Sequence, residues 1–363
     1  MNAFKLFRSL TLLVLATACL PQTALASGTL YVNLYGGKQV VKFKVGANAA
    51  PSRPISVTAT VSAPEGLAVR GSDLYFQDNV PINGLGTYVI RRIDRNATNG
   101  QPAPVVHGQT AGRAAAALAF DSGGSLYFVG SSGWDINRLA SGGTTSTAIG
   151  TGSGPGCGIV FDGTNTVYST HQDYGHPNSK HALYKLNLLA RPGSTMATAL
   201  VQNSSADAVF GKPCAMAIDK QGSLYVGDVR PTAAGLETIV WKLDPKASNP
   251  RATMAVYAVV GARNPVNGLT FDDAGNLYAT VGAEHKIFRI DPRGVSTVFQ
   301  TLIQYCPGTS GCYPWGIAFV PDPPPRVWIG RWEPWMAFVG GVVLIAVIGA
   351  TTLTLRRRRA RPA

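Results

Sequence analysis

The chain has 363 residues, 45% of them hydrophobic and only 14% charged, which is enough apolar content for a large folded body and excludes a disordered chain. Its formal net charge of +13 suggests nucleic acid, but of its 32 basic residues two, Lys5 and Arg8, lie at the N-terminus and five, Arg356 to Arg359 and Arg361, at the C-terminus. The remaining 25 basic residues face 19 acidic ones and are scattered without a cluster, so nucleic acid is not an expected partner.

Lys5 and Arg8 precede an apolar run from Leu10 to Leu20 and the small-x-small triplet Ala24, Leu25, Ala26. This order predicts a secretory signal peptide over residues 1–26, cleaved after Ala26. A lipoprotein cut before Cys19 is the weaker reading, because the leucine it needs three residues upstream is Ala16.

From residue 28 onward the chain repeats. A pair of the Leu-Tyr type recurs at Leu30-Tyr31, Leu74-Tyr75, Leu126-Tyr127, Val167-Tyr168, Leu224-Tyr225 and Leu277-Tyr278. Downstream of each pair, a second β-prone run carries one basic residue: Lys42, Arg92, Arg138, Lys185, Lys242 and Arg289. A third element, alternating small and larger apolar residues, starts at Gly66, Ala117, Gly158, Ala215, Gly268 and Gly316, spaced by 41 to 57 residues. Small residues on one face suit the crowded innermost strand of a propeller blade, and the period leaves room for four short strands per repeat. The first Leu-Tyr pair lacks an inner strand before it, and the last inner strand lacks a pair after it. The expected fold is therefore an all-β, six-bladed β-propeller over residues 28–321, closed by pairing Leu30–Asn33 with Ile317–Phe319.

Four prolines between Pro321 and Pro325 open a stiff spacer, residues 322–334. Residues 335–355, from Trp335 to Leu355, carry no charge, and as a helix would span about 31 Å, the thickness of a bilayer core. With the arginines of the basic tail 356–363 behind it, this segment is expected to be a transmembrane helix that leaves the body outside the cytoplasm and the tail inside. A helix followed by arginines also resembles the processed sorting tails of bacterial envelope proteins.

Segments such as Gly268-Leu269-Thr270-Phe271-Asp272, Gly275-Asn276-Leu277-Tyr278 and Ile287-Phe288-Arg289-Ile290-Asp291 resemble NHL-type repeats and the gluconolactonase and regucalcin-like family of six-bladed propellers. The resemblance covers nearly all of the exported body. It implies a divalent metal ion held at the channel mouth by Glu, Asn and Asp side chains.

Ligands of propellers gather where loops converge on the inner strands. The positions just before the inner-strand small residues are Glu65, Ala116, Cys157, Cys214, Asn267 and Trp315. By the resemblance Glu65 and Asn267 are metal-ligand types, whereas Cys157 and Cys214 stand where further oxygen ligands would be wanted. Those cysteines read either as a disulfide in an oxidising compartment or as a soft-metal thiolate pair. Cys306 and Cys312 bracket a short loop and read as a local disulfide. His171, His176 and His181 read as a solvated loop, with metal binding as the sharper alternative. The sequons at Asn96 and Asn203 matter only in a glycosylating host. Two functions remain: a binding or scaffold module for an envelope glycan, peptide or protein, or a metal-assisted lactonase-like hydrolase using Glu65 and Asn267.

Overall fold

A computed structural model describes residues 27–46, 52–58, 61–82, 85–99, 105–108, 115–130, 135–151, 156–172, 181–188, 197–204, 208–233, 235–306 and 311–323. They form six four-stranded antiparallel sheets. Blade 1 joins Gly28–Leu34, Gln39–Val45 and Ile55–Ser56 to the last strand, Pro314–Pro321, which lies innermost. Blades 2 to 6 follow in chain order, with inner strands Leu67–Arg70, Ala115–Phe120, Gly156–Phe161, Met216–Ile218 and Val266–Phe271. Each inner strand touches the next, and Pro314–Pro321 touches the inner strands of both blade 6 and blade 2, so the ring is closed.

The repeated residues explain why each segment takes its place. In every blade the Leu-Tyr tyrosine pairs directly across the second and third strands with the basic residue: Tyr31 with Lys42, Tyr75 with Arg92, Tyr127 with Arg138, Tyr168 with Lys185, Tyr225 with Lys242 and Tyr278 with Arg289. Facing side chains of this kind pack on each other, as Lys242 does with its Nζ 5.2 Å from the Tyr225 ring centre, and Lys42 donates to the Asn96 and Ala97 carbonyls of the neighbouring blade. The aspartates that end inner strands set the first hairpins. Asp121, Asp219 and Asp272 accept the N–H four residues on and meet the tyrosine hydroxyl of their own blade at 3.0, 3.1 and 3.4 Å. Gly124, Gly222 and Gly275 in these turns have φ of +83°, +88° and +82°, a region a side chain would strain. Asp94, Asp244 and Asp291 cap the later turns, each accepting the N–H two residues on.

Ring closure follows the expected register, with Leu30 opposite Phe319 and Val32 opposite Ile317. Leu30, Val32, Leu34 and Phe43 are buried there with Ile317. Asp322 ties the seam by accepting from Ser27 Oγ at 2.8 Å and pairing with Lys44 at 2.6 Å. The compact unit ends at Asp322. No helix among the described residues is long and apolar enough to cross a membrane, and the expected leader, most of the spacer, the helix 335–355 and the basic tail lie outside the described residues.

The inner strands pack at backbone distance. A Cβ added at Gly158, Gly268 or Gly316 would lie 2.0, 2.4 or 2.4 Å from the main-chain oxygen of Cys214, Trp315 or Glu65, respectively, in the following blade. Glycine stands at these starts because any side chain would push two blades apart.

Candidate functional site: the inner rim of the channel

Of the rim residues, Glu65 and Cys214 lie just ahead of the inner strands Leu67–Arg70 and Met216–Ile218, as the spacing suggested, and the other three do not. Cys157, Asn267 and Trp315 lie within inner strands Gly156–Phe161, Val266–Phe271 and Pro314–Pro321. In those three blades, and in blade 3, the pairing register slips at this level: between Gly156 and Ile159, Val266 and Gly268, Val32 and Leu34, and Ala115 and Ala117. The rim is thus built on β-bulges, which bend the strand and re-aim the extra residue.

A second repeated device holds the rim and was not read from the sequence. In blades 1, 4 and 6 it is the residue two after the tyrosine, whereas blades 3 and 5 have Val129 and Gly227 there. Thr170 accepts from Gly158 N–H and donates to the Cys214 carbonyl at 2.6 Å, and Thr280 donates to the Trp315 carbonyl at 2.7 Å. Asn33 does the same in blade 1, its Nδ2 donating to the Glu65 carbonyl at 2.6 Å and to that of Gly66 at 3.2 Å. Each side chain staples its own blade to the rim of the next. A polar residue two after the tyrosine in four of the six repeats, at Asn33, Gln77, Thr170 and Thr280, was the available signal.

One residue further on, Asp78 and Asp228 hold the chain that leads to the rim. Asp78 accepts the N–H groups of Ser62 and Ala63 and pairs with Arg91 at 3.0 Å. Asp228 accepts those of Gly211 and Lys212 and the Trp241 indole N–H, and its burial holds the carboxyl above the usual range. Both are fixed by structural bonds, so neither is free for chemistry.

The structure brings the cysteines together. Cys157 and Cys214 form a disulfide between blades 4 and 5 with Cα atoms 4.7 Å apart, and Cys306 pairs with Cys312 at 5.4 Å. The thiolate-metal alternative at Cys157 and Cys214 is therefore excluded in this form of the protein. Asn267 is buried and its Oδ1 accepts the Gly282 N–H at 2.9 Å, a structural use of the atom a metal would need. No group of three or more His, Cys, Asp or Glu side chains converges on a metal site among the described residues.

The histidines differ from expectation. His171 ends the strand Thr166–His171, fully buried, with Nε2 3.1 Å from Ser169 Oγ and its ring edge-on to Tyr184 at 4.9 Å. His181 is also buried, and its carbonyl accepts the Asn203 N–H, while His176 lies outside the described residues. Both stand at matching ends of the second and third strands of blade 4, where His171 lies opposite Ala182. Asn203 is buried too, its Oδ1 accepting from Val209 and Phe210 and its Nδ2 donating to the Phe210 carbonyl, so that sequon is closed to glycosylation in the folded body, whereas Asn96 is exposed.

Glu65 stands apart from all of these. Its side chain is buried, with a residue exposure of 7%, and among the described residues its carboxyl has no hydrogen bond or ion pair. Burial alone pushes its pKa from 4.5 to about 7. The Glu65 carbonyl accepts from both Asn33 Nδ2 and the Gly316 N–H, the latter at 3.1 Å, so Asn33, Glu65 and Trp315 meet at one blade junction. The Trp315 ring lies 6.0 Å from that of Tyr35. Tyr88 completes the group: burial raises its hydroxyl pKa first, and the fields of Glu65 and Tyr35 add to it.

The opposite face is different. Clefts open between neighbouring blades beside the first hairpins, one lined by Asp121, Tyr127, Arg138 and Phe161, another by Asp219, Tyr225, Lys242 and Asp273. Their charged groups already have partners within the repeats: Arg138 donates to Ser125 Oγ at 2.9 Å and Lys242 pairs with Asp219 at 3.7 Å.

Fold and rim together define a six-bladed β-propeller with disulfide-braced blades. No family profile matches the chain, and no curated protein matches it either, so membership of the NHL or gluconolactonase-like group is not established. Among solved structures, a chain in the crystal structure of a nidogen/laminin complex is similar, with a TM-score of 0.58 and 16% identity over 80% of this chain and 98% of that one. At that identity the likeness concerns the fold.

Proposed function

We propose that this protein is a non-catalytic binding or scaffold module, exported and held at the cell envelope by its C-terminal segment, which recognises a peptide, protein or glycan partner at the channel mouth around Glu65 and Trp315. The observation that carries the reading is the state of the rim: both cysteines are consumed by a disulfide and Asn267 is bonded to Gly282, leaving Glu65, among the described rim candidates, as the charged side chain without a hydrogen bond or ion pair. A hard cation takes six to eight oxygens, and a catalytic one needs open positions besides. The similar chain belongs to a nidogen/laminin complex, a precedent for this fold in protein recognition.

The test is metal analysis of the purified full-length chain together with lactone hydrolysis assayed with and without added calcium or zinc. Metal-free protein without turnover is expected. Stoichiometric metal lost on Glu65→Gln, with turnover that follows it, would replace this reading by a metal-assisted lactonase using Glu65 and Asn267. The topology is tested by protease added to spheroplasts, which should digest the propeller and leave the arginine tail protected.

A further inference from the structure

One further inter-blade cleft differs from the two described above. It lies between the last two strands of blade 4, Ala182–Asn187 and Ala197–Gln202, and residues 245–250 of blade 5. It encloses about 710 Å³ and is lined by Lys185 and Lys246, with no described Asp or Glu in its walls. In blades 1, 3 and 5 the basic residue of the repeat is met by a partner: Lys42 by two carbonyls, Arg138 by Ser125 and Lys242 by Asp219. Lys185, at the same place in blade 4, has no side-chain hydrogen bond or ion pair among the described residues, and neither has the Lys246 ammonium. The acids of this neighbourhood, Asp162 and Asp244, have fields that reach the Tyr168 hydroxyl, but each uses Oδ1 to accept main-chain N–H groups of its own turn and pairs with neither lysine.

The rest of the cleft also offers donors. Asn249 spends its Oδ1 on the Ala252 N–H at 3.3 Å, so its amide has only N–H groups left to give, and Ser248 and Thr198 add hydroxyls to the lining. The blade 5 loop that carries Lys246 is braced: Thr253 Oγ1 accepts the Asp244 N–H at 2.9 Å and donates to the Pro250 carbonyl at 2.7 Å. An acid-free cleft with two uncommitted ammonium groups suits an anion. A phosphate monoester carries nearly two negative charges and so matches two lysines, where a sulfate ester or a carboxylate carries one. The volume exceeds what a bare phosphate fills and falls in the range of small-molecule sites, about 300–1,000 Å³. Leu200, Pro245 and Pro250 supply an apolar wall for the uncharged part of such a molecule.

We propose that the cleft between blades 4 and 5 is a second binding site, independent of the channel mouth, for a phosphate monoester of monosaccharide size, its phosphate held by Lys185 and Lys246 and its body lying against the apolar wall.

Calorimetry on the full-length chain at pH 8 and low salt, with glucose 6-phosphate, glucose 6-sulfate, glucose and inorganic phosphate as probes, tests this. Glucose 6-phosphate should bind roughly threefold or more tightly than either the sulfate or inorganic phosphate, and glucose should give no binding heat. Lys185→Gln and Lys246→Gln should each weaken glucose 6-phosphate by roughly threefold, and the double variant should lose the preference for phosphate over sulfate. Lys220→Gln, which removes the exposed lysine paired with Asp273 at the cleft between blades 5 and 6, should leave the affinity unchanged. Absence of binding, equal affinity for phosphate and sulfate, or a loss in Lys220→Gln as large as in the double variant would overturn the proposal. Inorganic phosphate binding as tightly as glucose 6-phosphate would overturn the assignment of a ligand with a body.

Discussion

Replacing Glu65 by Gln keeps the shape of the side chain and removes its charge, and the structure fixes the sign of the effect. The folded carboxyl titrates near 7 against an ordinary 4.5, because burial opposes the charged form and no described cation offsets it. Between these values the folded state holds a proton that the unfolded state has released, so stability is greatest below pH 4.5 and falls as the pH rises through about 7. At about 1.4 kcal/mol per pH unit, ionising Glu65 costs the folded state on the order of 3 kcal/mol by pH 8. Gln carries no such penalty. For a body of roughly 300 residues the unfolding entropy is about 0.6 kcal/mol/K, so the variant should melt about 5 °C above the parent at pH 8 and close to it at pH 5. Thermal melts of both proteins at pH 5, 6, 7 and 8, with disulfides intact, read the difference, and all other titrating groups cancel in the comparison. A gap between the variants that stays constant with pH would show that Glu65 is not an uncompensated buried acid. A Glu65→Gln protein less stable at pH 8 than at pH 5 relative to the parent would show a hidden cationic partner.

Other consequences of the architecture are as direct. Ending the chain before Trp315, or deleting Leu30–Asn33, removes half of the blade 1 seam and should yield aggregated or protease-sensitive protein, and a truncated body melting cooperatively at the parental temperature would refute closure. Non-reducing peptide mapping should recover Cys157 crosslinked to Cys214; because that bridge closes a 57-residue separation, losing it should destabilise the body by up to about 4 kcal/mol, against about 2 kcal/mol for the six-residue Cys306–Cys312 loop. Gly316→Ala forces a methyl within 2.4 Å of the Glu65 carbonyl and should cost about 1–3 kcal/mol in denaturant unfolding, whereas Gly142→Ala meets no neighbouring atom and should be limited to the smaller strain of its φ of +74°.

Blade number, strand order and the closing seam were legible in the sequence because each is written once per repeat. A tyrosine, a basic residue and a turn aspartate recur at matching places, and local β-propensity with turn chemistry turns that recurrence into hairpins. The same logic located Glu65, Cys157, Cys214, Asn267 and Trp315 at one level of the repeat. It could not decide what they do, because their environment is made by neighbouring blades. Only the folded ring brings Cys157 within bonding distance of Cys214 from 57 residues away, and bulges accompany Cys157, Asn267 and Trp315 inside their inner strands. The histidines show the same limit: turn-rich flanks suggested solvent, yet His171 completes a buried strand and packs on Tyr184. Local pattern determines which segments become strands, since that depends on residues adjacent in sequence. Whether a polar side chain is committed, as Asn267 is to Gly282, or has no hydrogen bond or ion pair among the described residues, as the Glu65 carboxyl does, depends on packing between segments far apart in the chain, and the tertiary structure alone decided it.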